Sequence, residues 1–160
     1  MKKAIDVLQK IQTVVGSIFL TIFLVTVVIQ MLTRYLGISA IWTEDVAMYS
    51  FIWSIFMGAS IMVRDEKHFA FTAFADKIKG HMAKRIVGII IHVLMLIFNV
   101  LICYYGYLLM MKFWNYKWVS IPSFNRGPTW LCLPLSGAIS IIYLIELLVN
   151  DFKGLKGGAN

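Results

Sequence analysis

Charge is what this chain lacks where it is longest. Of its 160 residues, those at about 13–33, 46–63, 86–111 and 129–149 hold one carboxylate, Glu146, and one histidine, His92. Each run is long enough to cross about 30 Å of hydrocarbon, which takes roughly 20 helical residues. Strand-like alternation is absent from all four, so helices and not a barrel satisfy the backbone. With 60% hydrophobic residues and a mean hydropathy of +0.80, the chain carries more apolar surface than a soluble domain of this size can hide.

Cysteine is scarce too. Cys103 and Cys132 both fall inside the apolar runs without a C-x-x-C spacing, so they read as small packing residues and not as a disulfide or metal site. Walker sequences, Ser/His/Asp arrangements and ligand clusters are missing, and enzymatic activity finds no support. A membrane cytochrome needs axial ligands facing each other, yet His68 and His81 lie between runs and leave His92 alone. No Pro/Ser linker, internal repeat or low-complexity tract divides the chain, so residues 1–160 read as one four-helix membrane domain without catalytic, cofactor or metal residues.

The charges that remain carry topology. The N-terminal tail, residues 64–85 and the C-terminal tail hold 11 Lys and Arg, against 4 in segments 34–45 and 112–128. Four spans place the richer group on one side, so both termini are expected in the cytoplasm. The net charge of +7 then suits an anionic leaflet and is no argument for nucleic acid. A secretory signal is the rival reading of the first run, after Lys2, Lys3 and Lys10. Its apolar segment is too long for a signal and "GISA" at 37–40 is a poor cleavage site, so it reads as a permanent span.

Around the spans lie interfacial segments. "KKAIDVLQKI" reads as an amphipathic approach to helix 1, with Ala4, Ile5, Leu8 and Ile11 near one face. Between spans 2 and 3, Phe71, Phe74, Ala75, Ile78 and Met82 recur at helical spacing, which predicts an interfacial helix over about 67–83; a solvated loop is the alternative. The last connection sets Trp114, Tyr116, Trp118, Phe124 and Trp130 around Pro122 and Pro128, with Arg126 among them. An aromatic belt at headgroup level accounts for them, with Trp42 and Tyr107 joining it, and a docking surface for an extracytoplasmic partner (Trp114, Trp118, Arg126, Trp130) is the sharper alternative.

Candidate chemistry inside the membrane is thin. His92 and Asn99 share a helical face with Gly106; bonding within the bundle is expected of them, because a proton relay needs titratable neighbours. Glu146 sits near the end of helix 4, within expected reach of Lys153. Ser50, Ser54 and Gly58, four residues apart, form a small-residue stripe on helix 2 that needs a helical partner, inside the chain or outside it. At the start of that helix Thr43 reads as the N-cap, which puts Glu44 and Asp45 in the first turn, where the helix dipole favours negative charge. Asp45 falls on the arc of Trp42, Tyr49 and Phe56, whereas Glu44 leans toward Ala47 and Gly58.

With these residues in place, the chain resembles the small membrane (DctQ-type) subunit of tripartite ATP-independent periplasmic (TRAP) transporters. The resemblance is carried by Trp42, Glu44 and Asp45, then Ala47, Tyr49, Trp53 and "MGA" at 57–59, Arg64 and His68 past helix 2, and Ile121, Pro122, Trp130 and Pro134. Pro122 and Trp130 stand further apart than the family pattern expects. The resemblance implies an accessory scaffold subunit that binds no substrate itself. Its implied partners are a large multi-span membrane subunit, a periplasmic solute-binding protein and membrane lipids, in the sodium-driven import of an acidic organic solute across a bacterial inner membrane. Two other classes stand beside it: an autonomous four-span exporter of cationic compounds, which needs a membrane-embedded carboxylate, and a redox or sensory module.

Overall fold

A computed structural model describes residues 2–65 and 81–157, with side chains placed over 3–65 and 86–153. Four α-helices follow one another: α1 (Lys2–Tyr35), α2 (Trp42–Arg64), α3 (His81–Lys112) and α4 (Cys132–Gly157), with a 3₁₀ turn (Gly127–Leu131) leading into α4. All four are long and apolar enough to cross a membrane. The chain is an all-α membrane protein, as its hydropathy predicts. No strand occurs among the described residues, and Lys117 and Asn125 form one isolated antiparallel bridge in the last connection.

The helices outrun the apolar runs that define them, because interfacial Lys, Gln and Asp residues continue a helix once water can reach their heads. The expected amphipathic approach is therefore the first turns of α1 itself. Ile5 is buried there, packed with Val63, Ile139, Tyr143 and Leu144. The interfacial helix expected at 67–83 lies mostly outside the described residues, and His68 and the Phe71–Ile78 face lie outside them too. What is described of it, from His81 onward, is continuous with α3.

A left-handed turn stops α1. Gly37 has φ 71°, and the amides of Gly37 and Ile38 return to the carbonyls of Arg34 and Thr33. These are the paired bonds of a Schellman motif, which glycine adopts without a Cβ penalty.

The helices pack in a row: α1 on α2, α2 on α4, and α4 on α3. Consequently α2 and α4 are the inner members, while α1 and α3 present most of their apolar surface outward. Close approach is concentrated on the α3–α4 seam. A methyl group at Gly106 would sit 2.7 Å from Leu133 Cβ, and one at Gly137 would sit 3.0 Å from the Cys103 amide nitrogen. Small residues let backbones approach where no hydrophobic force between helices exists. Pro134, in the first turn of α4 where a missing amide is tolerated, packs against Gly106.

Candidate functional site

The chain termini and the ends of α2 and α4 share one end of the row, and there a polar network has formed. Arg64, at the end of α2, bonds Asp6 and Gln9 on α1 and pairs with Glu146 on α4 at 3.6 Å. Its guanidinium also lies 5.7 Å from the Tyr143 ring centroid. Deeper along α1, Gln12 is buried. It donates to Ser60 and accepts from the Tyr143 hydroxyl at 2.7 Å. Gln9 donates to Asp65 at 2.9 Å. Three helices are thus laced together by one planar guanidinium and two amides, a job for which the fork geometry of Arg is suited.

Glu146 therefore meets Arg64 and not Lys153, as its sequence neighbourhood suggested. Seven residues along a helix put Lys153 about 10 Å further on, whereas α2 brings Arg64 alongside. His92 also acquires a titratable partner that its own helix lacks: Nδ1 lies 2.8 Å from the Asp151 carboxylate on α4. Bonding within the bundle is the role found, with a charged partner. Asn99 donates to the Met95 carbonyl of its own helix.

The opposite end is built differently, around the first two turns of α2. Asp45 accepts from both the amide and the hydroxyl of Ser120, which ties the last connection to α2. One turn on, Tyr49 is buried under that connection. Trp118 packs on it at 4.8 Å, Trp130 meets it edge-on at 5.9 Å, and Arg126 donates to its hydroxyl. Arg126 also lies over the Phe113 ring at 5.5 Å, and Trp53 donates to the Thr129 carbonyl at 2.8 Å. Trp118 and Trp130 thus point into the protein, and Arg126 is spent on the same cluster. Of the four residues considered for outer docking only Trp114 is exposed, its backbone lying against Gly127.

The start of α2 differs in detail from the expected cap. The helix begins at Trp42 with Ile41 at the N-cap, and no side chain caps it. Thr43 is fully buried and donates instead to the Ala40 carbonyl at 2.7 Å. Glu44 and Asp45 do occupy the first turn, as expected, with Glu44 exposed. Trp42 is half exposed beside it.

The stripe on α2 divides. Ser50 is buried, and the Ser54 carbonyl lies 4.0 Å from where a methyl at Gly16 of α1 would stand. Gly58 faces open space, with nothing within 4 Å of a Cβ placed there. Within the chain the deeply buried partner on this helix is Ser60, which the four-residue spacing passes over.

Between α2 and α3 runs an apolar groove of about 1020 Å³, floored by α4. Phe56, Ala59 and Val63 form one wall, Met95, Phe98 and Tyr105 the other, and Ser136 and Ser140 the floor. Sequence reasoning missed it, because it depends on which helix pairs fail to touch.

Among the described residues no three His, Cys, Asp or Glu side chains gather as a metal site requires. Toward one end Arg64 pairs with Asp6 and Glu146 and His92 with Asp151, at the other Asp45 and Arg126 make hydrogen bonds, and the arrangement is mechanical: two clamps and an apolar groove.

Comparison with curated proteins finds no match to this chain. The family described as tripartite ATP-independent periplasmic transporters, DctQ component, matches residues 13–154. With four membrane-crossing helices and a family match over nearly its whole length, the chain belongs to the DctQ component family of TRAP transporters, as a multi-pass inner-membrane component of such a transporter.

Proposed function

We propose that this component is the accessory scaffold and anchor of a sodium-coupled importer for an acidic organic solute, a dicarboxylate or a sugar acid such as sialic acid. A periplasmic binding protein delivers the solute and the large membrane subunit carries it. The small subunit itself binds neither solute nor sodium. One observation carries this reading: the ionisable side chains gather at the ends of the helices and hold the helices to one another. A carrier needs polar groups facing a path through the bilayer. Here the 1020 Å³ groove is apolar, with Lys112 at its rim. The distribution of Lys and Arg supports cytoplasmic termini, which places the Arg64 network at the cytoplasmic face and the Tyr49 cluster at the periplasmic one.

Reconstitution tests it. Proteoliposomes holding the small subunit alone are expected to take up no solute, and addition of the large subunit and binding protein to give sodium-dependent uptake. Transport by the small subunit alone would sink the proposal. For the cation-exporter reading the needed membrane carboxylate is Glu146, and its pairing with Arg64 counts against a free substrate site. Under that reading Glu146→Gln abolishes export; under the scaffold reading it changes stability alone.

A further inference from the structure

We propose that the α2–α3 groove seats one transmembrane helix of the large subunit. The inference rests on the scaffold reading and names the face that reading left open. Length is the first argument. The groove's α3 wall runs from Ile91 to Lys112, about 30 Å at 1.5 Å per residue, which is the full thickness of the hydrocarbon, while α2 walls the part from Phe56 to Val63. A single acyl chain covers one leaflet; a helix covers both.

Width is the second. Both walls pack on α4 and not extensively on each other, so the groove is the vacant fourth corner of a bundle whose other corners are α2, α4 and α3. Interaxial distances of 8–10 Å suit a helix at that corner.

Surface chemistry is the third. On the walls Phe98 and Tyr105 are each 62% exposed, while the floor is small and hydroxylic at Ser136 and Ser140. Large projections over a floor of small residues fit the relief of another helix. Charge sets the direction: Lys112 stands at the rim near the last connection and makes no ion pair among the described residues. The guest helix should bring acidic charge to that end. The outer face of α1 offers no such seat, since only a shallow hollow lies there between Thr13 and Thr21.

The test uses the full chain co-expressed with its large subunit, with photoreactive benzoylphenylalanine replacing Phe98 or Tyr105 in the groove, or Val100 on the opposite face of α3 or Val25 on α1, both exposed outside it. Illumination is expected to give adducts with the large subunit from Phe98 and Tyr105 and to lose them at Val100 and Val25. Ala59→Trp and Lys112→Glu are expected to lower recovery of the large subunit, while helical content by circular dichroism stays unchanged. Adducts from Val100 or Val25 alone would overturn the seat, and so would groove adducts with phospholipid only, in a complex that still copurifies. Recovery undiminished by both substitutions would overturn it too. Failure of the two subunits to copurify at all would instead remove the scaffold reading beneath it.

Discussion

Tyr143 of α4 donates its hydroxyl to Gln12 of α1 at 2.7 Å, joining helices at opposite ends of the chain through the interior of the row. Gln12 passes the contact on to Ser60 of α2, so one amide fastens three helices. Because Gln12 uses both its donor and its acceptor, it is the member whose loss leaves most behind. Tyr143→Phe is expected to cost about 0.6 kcal/mol, the average for a hydrogen bond between membrane helices. Gln12→Leu should cost about 1–3 kcal/mol, since it strands a buried phenol. Unfolding of the purified protein in mild detergent measures both. Equal effects of the two would mean that Gln12 is no hub.

Arg64 and Glu146 form a pair with 15% exposure on each side chain. Removing one partner leaves the other's charge uncompensated, so Arg64→Ala should destabilise the protein by up to about 3 kcal/mol. Arg64→Ala combined with Glu146→Ala should cost less than Arg64→Ala alone. A double-mutant cycle with no coupling would show that Asp6 and Gln9, and not Glu146, hold the guanidinium.

At the other end the neighbours Glu44 and Asp45 have different work. Asp45 holds Ser120 by two hydrogen bonds, so Asp45→Ala should speed amide hydrogen exchange through residues 116–126. Glu44 is exposed, and Glu44→Gln should leave that exchange unchanged. For association with the large subunit the order reverses: Glu44→Gln is expected to weaken it more than Asp45→Asn. Equal pull-down yields would argue against any role for Glu44 at a subunit interface.

Two glycines separate packing from propensity. At Gly106 an added methyl meets Leu133 at 2.7 Å, whereas at Gly58 it meets nothing. Gly106→Ala should therefore destabilise by about 1–3 kcal/mol through overpacking. Gly58→Ala should be neutral or stabilising by up to about 1 kcal/mol, through helix propensity. Thermal unfolding of the isolated subunit distinguishes them, and a destabilising Gly58→Ala would contradict the open surface described here.

What was legible in the sequence was what local patterning encodes. The apolar runs located the four helices, and the arc that Asp45 shares with Tyr49 is the one the last connection covers. What was not legible depended on neighbours far along the chain. Sequence proximity offers Glu146 only Lys153, whereas its partner, Arg64, belongs to another helix. Gln12 fell at the border between a supposed approach segment and the first span, where an amide attracts no notice. For Trp118 and Trp130, composition places an indole at an interface without saying which way it faces. Tyr49 decides that, by offering a ring and a hydroxyl beneath them. Thr43 shows the same limit at short range: a residue fit to cap stands at the second position of the helix, where its hydroxyl turns back to Ala40.

The row of helices also bears on how the protein is made. Its extensive contacts join α1 to α2 and α3 to α4, each pair adjacent in the chain, and among the described residues the α2–α4 contact is the extensive one between the pairs. Two helical hairpins can therefore enter the bilayer in succession, each nearly complete when its second helix emerges, with contacts local enough to form quickly. The second hairpin then docks on the first chiefly along α2 and α4, and Arg64 and Gln12 close the joint only after Glu146 and Tyr143 have been synthesised. Biogenesis thus ends with the polar clamp, and a chain halted before α4 would hold Arg64 by Asp6 and Gln9 alone and leave the Gln12 carbonyl oxygen without its phenol, the mark of an unfinished subunit.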